Sequence, residues 1–383
     1  MNINLDSSQK PIIIDLGSGQ IKIGFSGQEL PKKIFNNYIG EPKYKNIFQT
    51  YSKSTPSTNK ENIYIGSQCD KNLNILKLHY PINHGVFQNT SDIYPLFNYI
   101  FSLLKLSPDE IPSHPILITE PIHNPIYNRE NISQILFEKF LINKIFFASQ
   151  PVLSLFSTSN TTGAILESGE AVTQSCVIYE GFAIKNSFER CDYGGKDVTN
   201  YLEDILKKMG FFFETSAEKL IIKEIKEKYC LAISESILKN SEYEKENHFL
   251  PDGNVIKLGI EKILPPKILF NPEIIGLEYP GFPEIIFNSI NNADIELRKK
   301  LYENILLSGG NMAIKGMGDK IFNEMKNIVN PNMKIKINVP KNPQLLSWIG
   351  GAIISEMEIF KKMWINKTEY EEKGNSILHE KTI

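Results

Sequence analysis

The sequence predicts an α/β protein built from two similar halves. Three observations predict this class: an apolar strand with a tight turn near the N-terminus, several segments with helical periodicity, and a second copy of the strand and turn later in the chain. With 383 residues, the chain is long enough for two or more domains and a substantial core.

Composition narrows the class of protein. The formal net charge is −2, so the charge balance does not point to a nucleic-acid partner or a membrane surface. The four cysteines lie far apart without a C-x-x-C pair, which favours free, buried thiols in a reducing compartment. The chain has no bilayer-length apolar stretch and no signal-peptide core, so we expect a soluble intracellular protein without membrane insertion.

The first strand and turn read IIIDLGSGQI at residues 12–21. The isoleucines run into Asp15, and Gly17 and Gly19 bracket Ser18 before an alternating strand begins. A dinucleotide-binding fold needs a third glycine followed by a helix, and a P-loop needs G-x-x-x-x-G-K-[ST]; this turn has neither pattern. The remaining interpretation is a β-hairpin turn whose backbone N–H groups form an anion-binding nest.

The segment AILESGEAVTQSCVIYEG at residues 164–181 repeats this arrangement, with Glu167 at the strand end where the first copy has Asp15. Two such turns could grip a polyphosphate from opposite sides, and the two acids could hold a hydrated Mg²⁺. Two ordinary hairpins with capping acids remain the alternative on spacing alone.

Between and after these turns, the pattern predicts helices and one long loop. Residues 43–62 are polar and rich in Ser, Thr, Lys and Asn, which is typical of a loop without a core-facing side. Helical periodicity marks residues 91–105, 128–141, 195–209 and 217–238, and the segment that follows residue 348 reads as one amphipathic helix.

Ordered blocks along essentially the whole chain resemble the actin family, within the superfamily that includes sugar kinases and heat-shock chaperones. The blocks include DLGSGQIKIGFSG from Asp15, YPINHG at 80–85, TEPIHNPIYNRE at 119–130, LSGG at 307–310 and WIGG at 348–351. Within the family, the stretches FNNYIGEPKY, KGMGDK and FKKMWINKTEYEEKG are most similar to centractin, the actin-related protein of the dynactin filament.

The resemblance implies a two-lobed actin-like ATPase fold. In this fold, duplicated ribonuclease-H-like domains each contain a mixed five-stranded sheet flanked by helices. It also implies four subdomains. Residues 1–36, 81–157 and 346–383 form the first, 37–80 the second, 158–193 and 278–345 the third, and 194–277 the fourth.

The resemblance further implies ATP or ADP with Mg²⁺ in the cleft between the lobes. Asp15 and Glu167 would hold the metal through water, and Gln150 would position the water that attacks the terminal phosphate. The implied nucleotide contacts come from both turns, the helix near 217–230, the LSGG block and the segment before the C-terminal helix: Gly17, Ser18, Gly19, Lys22, Ser168, Gly169, Glu170, Lys223, Lys226, Glu227, Gly309, Gly310 and Gln344.

Several positions depart from the family's pattern. Glu167 and Glu170 replace aspartates, and Ala171 replaces a glycine, so a positive φ would be disfavoured in this turn. Gln344 replaces a lysine beside the adenine. Gln174 replaces a histidine that can orient the attacking water and relay its proton, whereas a glutamine cannot accept a proton near neutral pH.

We therefore expect nucleotide binding to persist, with hydrolysis much slower than in conventional actin or absent. Whether the chain is an enzyme thus stays open, with a weak ATPase as the upper limit. A segment similar to the family's apolar filament plug, with apolar side chains at residues 268–270, Ile274 and Ile275, makes head-to-tail association plausible.

Three functions follow from the resemblance. The first is a cytoskeletal, filament-forming or filament-capping protein or scaffold that associates with itself, with other actin-like subunits, or with actin-binding or dynactin-like complex proteins. The second is a non-polymerising subunit of a larger assembly, such as a chromatin-remodelling complex. The third is a small-molecule kinase, against which the actin-specific blocks argue.

Overall fold

The computed structural model describes residues 10–43, 63–233 and 245–381. Apart from its first residue, the loop predicted at 43–62 lies outside the described residues. In the part of the chain that the structure describes, no helix combines the length and the apolar character that a bilayer crossing requires.

The described residues form both strands and helices. The strands are β1 Ile12–Leu16, β2 Gln20–Phe25, β3 Lys33–Asn36, β4 Ile39–Pro42, β5 Tyr64–Ile65, β6 Leu76–His79, β7 Ile82–Asn83, β8 Val86–Phe87, β9 Ile116–Glu120, β10 Lys144–Ser149, β11 Gly163–Ser168, β12 Thr173–Tyr179, β13 Phe182–Ala183, β14 Glu189–Cys191, β15 Glu246–Phe249, β16 Val255–Leu258, β17 Ile305–Ser308, β18 Ile337–Asn338 and β19 Ile365–Asn366. The α-helices are α1 Ile93–Leu104, α2 Ile126–Glu138, α3 Gln150–Phe156, α4 Gly195–Lys208, α5 Ser216–Tyr229, α6 Phe282–Asn291, α7 Ile295–Tyr302, α8 Met317–Ile328, α9 Leu346–Ile354, α10 Lys367–Lys373 and α11 Ile377–Glu380.

The first lobe is built on a mixed sheet with the order β19-β10-β9-β1-β2-β3. β1 and β2 form the predicted hairpin, while β1, β9 and β10 run parallel. Side chains alternate between the two faces of the sheet, so that Ile12 and Ile14 pack into one core cluster and Ile13 into another. Burial on both faces explains why β1 is apolar up to Asp15.

The second lobe repeats this plan. Its sheet has the order β13-β12-β11-β17-β18, with β14 beside β12. The hairpin of β11 and β12 again lies next to a parallel strand, β17. The two-lobed α/β fold is thus confirmed, although each sheet has six strands because very short strands such as β19 and β14 also pair.

Three of the predicted helices correspond to α1, α2 and α4, with ends that differ by a few residues. The helix predicted at 217–238 ends at Tyr229, since Cys230 is extended, and residues 234–238 of the predicted range lie outside the described residues. The prediction of a single C-terminal helix is wrong. The backbone at Met357 is extended, a 3-10 helix follows, and Ile365 pairs with β10.

The four cysteines are free and buried, as the sequence predicted. The chain passes from the first sheet to the second through α3 and returns through α9. These two helices supply apolar side chains to the clusters on the facing sides of both sheets, for example Leu153 and Leu155 from α3. The site described next lies beside this junction.

Candidate functional site

The two hairpin turns face each other across one cavity of about 150 Å³. Asp15 and Glu167 both line it, together with Lys22, Gln150 and Gln174. An adjoining cavity of about 270 Å³ is lined by residues that include Glu227 and Gln344. Together they are in the size range of small-molecule sites. The two acids therefore share one space, as the phosphate-clamp interpretation requires.

All predicted site residues except Ser168 line one of these two cavities. Ser168 is fully buried, and its hydroxyl lies 2.8 Å from both Thr173 Oγ1 and Asn311 Nδ2. Polar groups of the second lobe thus satisfy the Ser168 hydroxyl. The predicted roles of all these residues, Ser168 included, stay predictions.

Asp15 is held by three donors. Lys22 Nζ lies 2.7 Å from Oδ2, because Lys22 stands directly opposite Asp15 in the hairpin. Thr119 and Gln150 both donate to Oδ1, the hydroxyl at 2.5 Å and the amide at 3.1 Å. Thr119 reaches Asp15 because it occupies the matching position on the parallel strand β9. The orientation of this carboxylate is therefore fixed before any ligand binds.

Glu167 has a different environment from Asp15. Ser347 Oγ donates to Oε1 at 2.7 Å, and Gln174 Nε2 donates to Oε2 at 3.3 Å. Burial outweighs these hydrogen bonds and raises the pKa of Glu167 from 4.5 to about 7. The carboxyl group is therefore divided between its protonated and ionised forms at neutral pH.

Two glutamines connect these acids. Gln174 Oε1 accepts the Ile122 backbone N–H at 2.7 Å, and its Nε2 lies 3.3 Å from Gln150 Oε1. Gln150 is the first residue of α3, and Pro151 is the second. Its missing N–H costs nothing in the first turn, and Ser149 is the extended residue before the helix.

The second turn carries Glu170 against two lysines. Lys223 and Lys226 Nζ each lie 3.6 Å from a Glu170 oxygen. Burial alone would raise the pKa of Glu170, but the ammonium groups of Lys226 and Lys223 bring it below its ordinary value. A Cβ at Gly19 would lie 2.9 Å from the Cβ of Glu170, so the close approach of the two turns requires glycine there.

Ala171 shows none of the strain expected from its sequence position, because it is not among the described residues with positive φ. Its carbonyl oxygen lies 2.8 Å from His84 Nδ1 of the first lobe. This contact adds a further bridge between the lobes beside the cavity.

The sequence analysis did not identify two residues that contribute to the site, Arg190 and Thr119. Arg190, next to Cys191 on β14, donates to the backbone carbonyls of Ile122 at 2.8 Å and His84 at 2.9 Å, both in the first lobe. Arginine is rare in this lysine-rich chain, with only three residues, and this rarity could have drawn attention to Arg190. Thr119 could have been found from its place at the end of an apolar strand.

The residues that line the cavity can be examined for their ability to hold a magnesium ion. Among the described residues, no group of three or more His, Cys, Asp or Glu side chains could hold a metal. Magnesium keeps several waters and takes ligands from substrate phosphates, so it needs only one or two carboxylates. Asp15 and Glu167, which line the same cavity, fit such a water-bridged ion.

Comparison with known proteins agrees with this architecture. The family model described as actin matches residues 6–383. The chain is 38% identical over 381 residues to an actin-like protein of Neurospora crassa, and the match covers 97% of each chain.

Proposed function

The chain belongs to the actin family, and on that premise we propose that it binds ATP or ADP with Mg²⁺ between its lobes. It hydrolyses ATP slowly or not at all, and it acts as a filament-forming or complex-embedded scaffold of the cytoskeleton in the cytoplasm. Among such complexes, the sequence blocks quoted above favour a centractin-like subunit of a dynactin-type assembly. The four-part division of the lobes belongs to the same proposal.

The observation that carries the nucleotide site is the shared cavity of the two hairpin turns. Lys22, Lys223 and Lys226 supply positive charge around the two cavities, which suits a polyphosphate. Both turns line the same cavity as Gly309 and Gly310. Backbone N–H groups of the turns would bind phosphate oxygens from opposite sides. The magnesium ion would neutralise phosphate charge and orient the terminal phosphate.

We expect slow ATP hydrolysis because of the chemistry and the hydrogen bonds of Gln150 and Gln174. Gln174 gives its oxygen to the Ile122 N–H and its nitrogen to Gln150 and Glu167. Gln150 in turn donates to Asp15 and Thr119. Neither amide can accept a proton from an attacking water at neutral pH.

Exposed apolar side chains support the scaffold role. Phe182, Ile295 and Ile359 are 79%, 78% and 78% exposed. The predicted plug segment exposes less apolar surface than expected, since Ile268 and Leu269 are fully buried in the core of the second lobe. Ile274 is 42% exposed and remains accessible to a partner.

The proposal is tested on purified protein. The bound nucleotide is extracted and identified, and sedimentation with Mg-ATP is measured across protein concentrations. We expect ATP or ADP in stoichiometric amounts and a concentration threshold for sedimentation. Protein that carries no nucleotide and binds none would refute the site. A discrete particle at all concentrations would favour the non-polymerising subunit.

A further inference from the structure

We propose that Ser347 is a positioning residue that holds the Glu167 carboxylate across the seam between the lobes. In this way it sets the affinity for a divalent cation beside the nucleotide. The cation part of this inference rests on the proposed function. The tie between the lobes rests on the geometry alone.

The tie joins elements from different lobes. Ser347 is the second residue of α9, and its hydroxyl donates to Glu167 Oε1 at 2.7 Å. Glu167 lies near the end of β11, in the sheet of the second lobe. The Trp348 side chain donates to the backbone carbonyl of Ile13 in the first lobe at 3.1 Å, so this end of α9 is anchored there.

Two further hydroxyls complete a buried cluster, which we define as Ser154, Ser308 and Ser347. Ser154 Oγ lies 3.0 Å from Ser308 Oγ and 3.1 Å from Ser347 Oγ. Ser308 Oγ lies 3.4 Å from Glu167 Oε1, which makes it a weaker partner than Ser347. All four side chains are buried. The cluster therefore lies where α3 and α9, the two connections between the sheets, meet the end of β17.

The two oxygens of Glu167 have different partners as a result. Oε1 is engaged by the hydroxyl cluster, and Oε2 faces Gln174 at 3.3 Å, beside the cavity shared with Asp15. A buried carboxylate that lost its best donor would rotate to find another. Ser347 thus keeps Oε2 directed toward the place where a hydrated cation would sit. Because Ser347 and Glu167 belong to different lobes, a change in lobe spacing moves this oxygen.

The test compares Ser347→Ala and Ser308→Ala with a control, Ser289→Ala. Ser289 is also fully buried and hydrogen-bonded, but it lies in the second lobe, where its hydroxyl donates to the Ser187 carbonyl at 2.8 Å. The first readout is the Mg²⁺ concentration that gives half-maximal retention of a fluorescent ATP analogue. We expect this concentration to rise about fivefold or more for Ser347→Ala, and less for Ser308→Ala, because the longer hydrogen bond is weaker. The control should leave it unchanged.

The second readout is hydrogen exchange in the nucleotide-free protein. Loss of the tie should speed exchange in α3 and α9 in Ser347→Ala but not in Ser289→Ala. If Ser347→Ala matches the control in exchange and in Mg²⁺ dependence, the inference is wrong. If the wild type retains no nucleotide, the proposed function fails, and the exchange measurement still decides whether Ser347 ties the lobes.

Discussion

Gln174 is the counterpart in the second hairpin of Lys22 in the first. Each residue stands directly opposite the acid of its own hairpin, Glu167 or Asp15. The distance from the donor nitrogen to the carboxylate is 2.7 Å for Lys22 and 3.3 Å for Gln174. The duplicated fold therefore gives one acid a cation and the other a neutral amide. This asymmetry determines what each half of the site can do.

Replacing Gln174 with histidine tests the hydrolysis argument. An imidazole at this position can accept a proton from an attacking water, whereas the amide cannot. We expect Gln174→His to speed phosphate release at least tenfold in single-turnover measurements with Mg-ATP. Gln174→Asn is the control, since it keeps an amide and should give no acceleration. Equal rates for the two variants would show that this position does not limit hydrolysis.

Lys22→Ala tests the phosphate clamp. The substitution removes a cation from the cavity and leaves Asp15 without its shortest ionic contact. We expect nucleotide affinity to fall about 10-fold to 100-fold, as for a lost charge-assisted hydrogen bond. Lys33→Ala, an exposed lysine on the neighbouring strand β3, is the matched control. An unchanged dissociation rate of a fluorescent nucleotide in Lys22→Ala would contradict the clamp.

The sequence predicted which residues line the cavity, but it did not predict the hydrogen bonds that hold them. The repeated strand and turn placed Asp15 and Glu167 at one cavity because duplicated hairpins bring equivalent residues to facing edges. The sequence did not predict that Ser347 would bind Glu167, since that contact joins residues 180 positions apart and depends on how α9 packs. Local pattern also misjudged the end of the chain, where pairing of Ile365 with β10 overrides helical periodicity.

The pKa of Glu167 leads to a prediction on stability. Its folded value of about 7 lies above the ordinary 4.5, so the folded state keeps a proton that the unfolded state has lost between these values. The free energy of unfolding should therefore decrease as pH rises from 4.5 to 7 and level off above 7. Glu167→Gln has no such proton and should lack this decrease. The free energy of unfolding of Glu167→Gln should therefore rise by about 3 kcal/mol relative to that of the wild type between pH 4.5 and 7.

Chemical denaturation of the two proteins at several pH values measures this gain. Glu189→Gln is a useful comparison, because burial also raises the pKa of Glu189 but this residue lines neither cavity of the site. Parallel curves for the wild type and Glu167→Gln between pH 4.5 and 8 would contradict the raised pKa.

Adjacent glycines provide a matched pair of variants. Gly309 has φ +93°, and a Cβ there would lie 2.2 Å from the Ser168 carbonyl oxygen. We expect Gly309→Ala to lower the free energy of unfolding by about 2 kcal/mol or more, from strain and from overlap with backbone that cannot yield. Gly310→Ala meets no atom within 4 Å and should be near neutral. Equal thermal unfolding midpoints for the two variants would contradict this account of the turn.

Ile295→Asp tests self-association without disturbing the fold. Ile295 is 78% exposed and is the first residue of α7, where an acidic side chain is favourable to the helix. A charge in an apolar interface must be desolvated, so we expect the protein concentration needed for sedimentation with Mg-ATP to rise at least tenfold. The neighbouring Glu296→Gln, also at an exposed position, should leave the threshold within about twofold, since surface substitutions have small effects. If Ile295→Asp sediments like the wild type while both retain nucleotide, Ile295 lies outside the contact between subunits. The exposed Phe182 and Ile359 would then be the next positions to substitute.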